Sequence, residues 1–145
     1  MIILDTNVIS ELMRAEPNGR VLEWLVRQPI AGLFTTTLTQ AEIFYGLQLL
    51  PEGRRRKDLI AAARPIFEVE MAGRILSFDS DAALAYAELA AHRRQTGQPI
   101  SQIDGQIAAI TRSRGAHLRI PTEAGHPFRR EAGQRSDLMS ATIPR

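Results

Sequence analysis

The sequence contains no cysteine, which excludes disulfide bonds, thiolate catalysis and cysteine-ligated zinc. No apolar run is long enough to cross a bilayer, and the apolar run at the N-terminus is too short for a signal peptide. Glycine-rich phosphate loops of the P-loop or dinucleotide-binding type are also missing. We therefore expect a soluble, cytoplasmic protein with no membrane association, whose chemistry rests on oxygen and nitrogen side chains.

Lysine is nearly absent, since Lys57 is the only lysine among 18 basic residues. The formal net charge is only +2, so the chain as a whole is not a strongly basic polymer. Arginine forks pair bidentately with phosphate oxygens, but a bias toward arginine also follows from genomic codon usage. Composition does not separate these two explanations.

What the chain does contain is enough apolar sequence for one domain, with 44% apolar residues in 145. Segments 2–4, 33–38, 74–79 and 115–120 have the composition of strands, and amphipathic helical segments lie between them. This alternation predicts an α/β fold with a parallel sheet. We expect the domain to span residues 1–120, and the proline- and glycine-punctuated segment 121–145 to be a poorly ordered tail.

Capping residues predict where the helices begin. The predicted caps are Thr6 or Asn7 for the first helix, Thr39 with Glu42 as a capping box, and Ser80 or Asp81 for the alanine-rich helix 82–94. A further helix is expected from Arg54 to Phe67, bent at Pro65.

Three acidic residues occupy positions that a parallel sheet brings to one edge. Asp5 ends the first strand, and Glu42 and Asp104 are expected in the first turns of later helices. Strand ends and the helix starts that follow them share one edge of such a sheet. A cluster of carboxylates needs a cation, and all-oxygen sites suit Mg²⁺ or Mn²⁺. Such an ion would activate water and offset phosphoryl charge.

Each of these residues also has a structural interpretation that the sequence leaves open. Asp5 suits a helix cap, Glu42 the reciprocal half of a capping box, and Asp104 a first-turn acid that favours the helix dipole. Thr6 fits either a helix cap or a hydroxyl that bonds a carboxylate, a water or a phosphate. The basic run Arg54, Arg55, Arg56 and Lys57 fits either an RNA-binding segment or a solvated helix face.

Four segments together resemble the PIN-domain nucleases, and specifically the VapC-type toxins of the FitB-like subgroup. The segments are 3–11 (Ile-Leu-Asp-Thr-Asn-Val-Ile-Ser-Glu), 39–46, 72–79 and 103–109. They follow one another in the order and spacing of that family, over roughly residues 1–120.

This resemblance implies a PIN-like three-layer sandwich, with a central sheet of about four or five parallel strands flanked by helices. It implies a magnesium-dependent endoribonuclease acting on structured RNA such as tRNA, with Mn²⁺ able to substitute. Asp5, Glu42 and Asp104 would hold the metal, and Thr6 would assist. The implied partners are a VapB/FitA-like antitoxin, operator DNA contacted only through that antitoxin, and a second copy in a homodimer.

The sequence departs from the family at the position after the last strand. Thr122 stands where the family usually has a further acid or asparagine, and Glu123 follows one residue late, after Pro121. This motivates an alternative, a catalytically impaired PIN domain that retains antitoxin binding and autoregulation. A receiver-like signalling domain is disfavoured, because receivers have a lysine near the end of a late strand and Lys57 lies elsewhere.

Overall fold

The computed structural model describes residues 1–119. Four short strands form one parallel sheet in the order β3-β2-β1-β4. They are β1 (Ile2–Leu4), β2 (Leu33–Thr36), β3 (Ile75–Leu76) and β4 (His117–Arg119). The chain steps outward from β1 to β2 and β3, then returns to add β4 on the other side of β1. The predicted parallel sheet is therefore confirmed.

Six α-helices connect these strands within the described residues. They are α1 (Thr6–Leu12), α2 (Gly19–Val26), α3 (Thr37–Gln48), α4 (Arg54–Pro65), α5 (Ser80–Gln95) and α6 (Gln102–Ser113). A 3₁₀ turn, Ile30–Gly32, precedes β2, and a π-helical turn, Ile66–Glu70, follows α4. No helix in residues 1–119 is both long and apolar enough to cross a membrane.

The sheet is covered on both faces, which gives three layers. Leu4 of β1 packs into a core with Val8 of α1, Ile43 of α3 and Phe67 of the π-helical turn. Its neighbour Ile3 packs on the opposite face with residues that include Ala82 of α5 and Ile110 of α6. Successive strand residues point to opposite faces, so a continuous apolar run such as Ile2–Leu4 suits a strand that is buried on both sides. The α/β three-layer sandwich is confirmed.

The start of α3 differs from the prediction. The helix begins at Thr37 and is capped by Thr36, whose hydroxyl accepts the backbone N–H of Thr39 at 3.0 Å. The physical reason is that β2 continues through Thr36, which pairs with Leu76, so the cap falls on the last residue of the strand. The buried Thr35 before it donates its hydroxyl to the Leu4 carbonyl at 3.1 Å. The predicted cap at Thr39 and its capping box with Glu42 are wrong, and Glu42 lies in the second turn rather than the first.

The other predicted helix starts shift by one or two residues. Asp5 rather than Thr6 or Asn7 is the N-cap of α1, because both of those residues are already helical. Asp79 rather than Ser80 or Asp81 caps α5, and it accepts the backbone N–H of Ala82 at 3.1 Å.

The helix predicted from Arg54 to Phe67 changes type at Pro65. The α-helix ends at Pro65, and the turn that follows closes through an N–H to carbonyl bond from Met71 to Ile66 at 2.8 Å. Proline lacks the N–H that an α-helix needs at that position. The predictions for Ile120, Thr122, Glu123 and the tail 121–145 lie outside the described residues.

Candidate functional site

Asp5 lies at the carboxyl end of the central strand β1, where α1 begins. Its backbone is extended (φ −77°, ψ 167°), and its side chain accepts no capping hydrogen bond from α1. Its backbone N–H donates to the carbonyl of Arg119 at 3.3 Å, so the end of β4 lies beside it. From β1 the chain continues to β2 on one side, whereas β4 lies on the other side of β1. Open α/β sheets place their binding crevices where the strand order reverses in this way.

Thr6, the first residue of α1, connects the carboxyl edge of the sheet to α3. Its Oγ1 donates a hydrogen bond of 2.5 Å to Oε2 of Glu42, across 36 positions of sequence. Both side chains are only partly buried, so the carboxylate is held by a neutral donor yet remains reachable from solvent. A second hydroxyl, that of Ser10, donates to the backbone carbonyl of Thr6 at 2.6 Å and supports the same turn of α1.

Asp104 lies in the first turn of α6, as predicted, and is held by the residue that caps this helix. Oγ of Ser101 donates to Oδ2 of Asp104 at 2.5 Å and accepts the backbone N–H of Asp104 at 3.2 Å. The sequence interpretation did not single out Ser101. Its signal was present, because Ser-x-x-Asp has the spacing of a capping box.

The three acids share one edge of the sheet. Asp5 ends β1, and α3 begins directly after β2, so both are at the carboxyl ends of parallel strands. Helix α6 runs back toward the start of β4, which puts its first turn at the same edge. Helix α3 packs against both α1 and α6. The structure therefore gives direct contact between Thr6 and Glu42 and places Asp5 and Asp104 on the same edge.

The side chains do not form a closed metal cage. Within residues 1–119, no group of three or more aspartate, glutamate or histidine side chains is spaced to hold an ion. Magnesium usually keeps several waters and binds proteins through one or two carboxylates plus substrate phosphates, so such a cage is not required. The donors here are all oxygen atoms, and Oδ1 of Asn7 is a buried acceptor without a hydrogen-bond partner in the described chain. The donor set fits a hard, partly hydrated divalent ion.

Asp79 has a structural role that separates it from these acids. The backbone N–H of Ala82, and then the guanidinium of Arg114, lower the pKa of Asp79 below its ordinary value of 3.8. Arg114 also forms an ion pair with this carboxylate. Asp79 thus fixes the start of α5 and ties it to the end of α6.

The basic run lies away from the acids, in the first turn of α4. Arg54 is 3.8 Å from the exposed carboxylate of Asp58, and Arg56 donates to the side-chain oxygen of Gln48 at the end of α3. The run therefore adjoins the far end of the helix that carries Glu42, rather than Glu42 itself.

Comparison with known proteins gives the family. The PIN-domain profile matches residues 2–118. The chain is 41% identical to the VapC ribonuclease Y4jK of Sinorhizobium fredii over 128 residues, which are 88% of this chain and 90% of that protein. It is 38% identical to toxin FitB of Neisseria gonorrhoeae, with 77% of this chain and 81% of FitB covered.

Solved structures agree with this assignment. The structure of FitAB bound to a DNA fragment superposes with a TM-score of 0.74 at 36% identity, over 81% of this chain and 82% of the matched chain. The protein therefore belongs to the PIN-domain family, in the group that contains the VapC and FitB toxins.

Proposed function

We propose that this protein is a metal-dependent endoribonuclease and the toxin of a toxin–antitoxin pair. One observation carries the proposal, the 2.5 Å hydrogen bond from Thr6 to Glu42. It joins the end of the central strand to α3 at the edge where Asp5 and Asp104 also lie. A polar constellation of this kind at a switch point suits ligand binding, and the relative Y4jK is named a ribonuclease.

Asp5, Glu42 and Asp104 would hold Mg²⁺, with Mn²⁺ as a substitute. When bound, a divalent ion activates a water molecule and offsets charge on a phosphoryl group. The protein's contribution is to hold the carboxylates in place. The Thr6 hydroxyl orients Glu42, and the Ser101 hydroxyl orients Asp104. Both donors are neutral hydroxyl groups, so neither competes with a cation for the carboxylate. Hydrogen bonds that fix the orientation of carboxylate ligands help to hold a metal site in its binding geometry.

The substrate would be an RNA phosphodiester, in tRNA or another structured RNA. A toxin that hydrolyses cellular RNA would act in the cytoplasm. Proteins that recognise RNA in a sequence-dependent manner mostly bind its loops and single-stranded ends.

The partner would be a VapB/FitA-like antitoxin. Several structural neighbours are complexes, including FitAB and VapBC bound to DNA, and one is described as a member of the VapBC family of toxin–antitoxin systems. We propose that the antitoxin covers the carboxylate edge and makes the contacts with operator DNA, and that the toxin pairs with a second copy of itself.

The test is cleavage of end-labelled tRNA by the purified full-length protein with Mg²⁺ or Mn²⁺. Cleavage should cease with EDTA and fall about 100-fold or more in Asp5→Ala and Asp104→Asn, since the lost metal contacts are worth several kcal/mol. Asp81→Asn is the matched control, because Asp81 is an exposed acid in the first turn of α5. Cleavage that survives both site substitutions would overturn the proposal.

The impaired PIN domain remains a second candidate, motivated by Thr122 at the position of the missing acid. It predicts antitoxin binding without RNA cleavage. Growth arrest on expression without the antitoxin, abolished by Asp5→Ala, would contradict it.

A further inference from the structure

Tyr45 of α3 is an aromatic residue that the core does not use. Its side chain is 67% exposed, whereas Phe44, next to it, packs against Phe67 with ring centroids 5.6 Å apart. Glu42 precedes Tyr45 by three residues and Gln48 follows it by three. Residues three apart are neighbours on a helix surface, so the ring lies between these two side chains.

A cationic side chain, that of Arg56, contacts the far end of this row of Glu42, Tyr45 and Gln48. The guanidinium of Arg56 donates to the side-chain oxygen of Gln48. Arg56 belongs to a first turn that contains Arg54, Arg55 and Lys57 and no acid. Cations at a helix N-terminus oppose the helix dipole. Arg54 is offset by its ion pair with Asp58, but the placement of Arg55, Arg56 and Lys57 does not favour α4. A polyanionic ligand accounts for the cations better than helix stability does.

The dimensions suit a short single strand of nucleic acid. Glu42 and Gln48 are six residues apart, which is about 9 Å along a helix at a rise of about 1.5 Å per residue. Stacked bases rise about 3.4 Å each, so this span corresponds to about three nucleotides. Proteins bind single strands by combining aromatic rings, on which bases stack, with cationic side chains along the backbone.

We propose that Tyr45 stacks on a base of an RNA strand that passes beside Glu42 along α3, and that Arg55, Arg56 and Lys57 bind backbone phosphates beyond it. This inference rests on the proposed ribonuclease function for its choice of RNA. Charge complementarity favours RNA over a neutral or basic protein partner, because the first turn of α4 beyond the exposed ring carries four cations and no acid.

The first measurement is binding of a fluorescein-labelled single-stranded 12-nucleotide RNA of mixed sequence, in EDTA so that cleavage does not occur. Tyr45→Ala should weaken binding about 5- to 100-fold, the range expected for one lost base–aromatic stack. Tyr45→Phe should bind as the wild type does. Leu84→Ala is the control, since Leu84 is another exposed apolar residue (67%) but lies on α5.

An abasic probe of the same length separates stacking from other causes. Removing the bases should weaken binding to the wild type and have little effect on Tyr45→Ala. Three results would each overturn the inference. Tyr45→Ala could weaken binding equally on the intact and the abasic RNA, Tyr45→Ala could bind the intact RNA as tightly as the wild type does, or the wild type could fail to bind the RNA. A Tyr45 that contacts the antitoxin instead would give the second of these outcomes.

The phosphate contacts have their own measurement. Arg56→Ala and Lys57→Ala should weaken binding to both probes and lower the slope of log K against log salt by about 1 each. An unchanged slope would contradict the assignment of these cations.

The inference and the proposed function fail separately. Asp5→Ala should lose cleavage while binding the RNA probe normally. If the wild type binds with the Tyr45 dependence described but never cleaves, the proposed function fails alone. If the wild type cleaves RNA but Tyr45→Ala changes neither the affinity for the intact RNA nor the difference in affinity between the intact and the abasic RNA, the inference fails alone.

Discussion

Thr6 and Glu42 are joined by a hydrogen bond of 2.5 Å from Oγ1 of Thr6 to Oε2 of Glu42, although 36 residues separate them in the sequence. The bond connects the first turn of α1 to the second turn of α3, at the carboxyl edge of the sheet. It gives the threonine after Asp5 a contact with the site. The hydroxyl fixes the direction of a carboxylate without neutralising it.

Removing this donor should impair activity more than folding. Hydrogen bonds to charged groups contribute about 1.5–3 kcal/mol, so Thr6→Val should lower the cleavage rate about 10- to 100-fold. Thr6→Ser keeps the hydroxyl and should restore most of the rate. Cleavage kinetics and thermal melting of the three proteins measure both quantities. Equal rates for valine and threonine would show that the bond does not orient Glu42 for catalysis.

Ser101 should contribute to both stability and activity, because it caps α6 and also holds Asp104. Loss of a serine cap costs about 1 kcal/mol, so Ser101→Ala should lower the free energy of urea unfolding by about that amount and slow cleavage as well. Ser101→Thr retains the hydroxyl and serves as the control. If the alanine variant is destabilised but cleaves at the wild-type rate, Ser101 is only a helix cap.

Gly105 should not tolerate a side chain, because a Cβ there would lie 2.9 Å from Cε2 of Tyr86 and 3.3 Å from Cγ2 of Ile100. Alanine usually favours a helix over glycine by about 1 kcal/mol. Here we expect Gly105→Ala to lower the free energy of unfolding by about 1–3 kcal/mol, the usual cost of overpacking.

The control for this substitution is Gly19→Ala in α2, where nothing lies within 4 Å of the added atom. In a Tyr86→Leu background the loss at Gly105 should shrink, since the contacting ring carbon is gone. Stabilisation by Gly105→Ala in the native background would contradict the tight approach of α5 and α6.

Asp79 should make stability depend on pH in the acidic range. The Ala82 N–H and Arg114 lower the pKa of Asp79 in the folded protein, so the folded state favours the charged carboxylate. This contribution is fully present above the unfolded-state pKa, and it is lost as pH falls through the lower folded-state value.

Asparagine caps helices about as well as aspartate, so Asp79→Asn isolates the charge. Urea unfolding from pH 2 to 6 should show the native protein to be more stable than Asp79→Asn near pH 6, with the difference shrinking as the pH falls below 3.8. A difference of the same size at pH 2 and pH 6 would rule out this ionisation as its source.

The sequence predicted the elements whose signals are local. Ile2–Leu4 is an apolar run in front of an acid, and Ile103, Ile107 and Ile110 recur at helical spacing. These signals located β1, and α6 with Asp104 in its first turn, without coordinates. The α/β class followed from the alternation of such segments. The resemblance to PIN domains, which the family match bears out, added the three-layer arrangement.

The failures occur where several adjacent residues suit the same role. Thr35, Thr36, Thr37 and Thr39 all suit either a strand or a cap. Only the structure shows that β2 ends at Thr36, which pairs with β3 and caps α3. Asp79, Ser80 and Asp81 give the same ambiguity at α5. The partner of Glu42 was not predictable from spacing, because the hydrogen bond to Thr6 depends on how α1 packs on α3.

The central claim is that Asp5, Glu42 and Asp104 form one divalent-metal site. The most direct measurement is a crystal of the full-length protein soaked in Mn²⁺, with anomalous data collected near the manganese edge. We predict an anomalous peak within bonding distance of carboxylate oxygens from at least two of these three residues, and no such peak in Asp5→Ala crystals. A fully soaked wild-type crystal with no peak at this edge, or with manganese bound only elsewhere, would contradict the account.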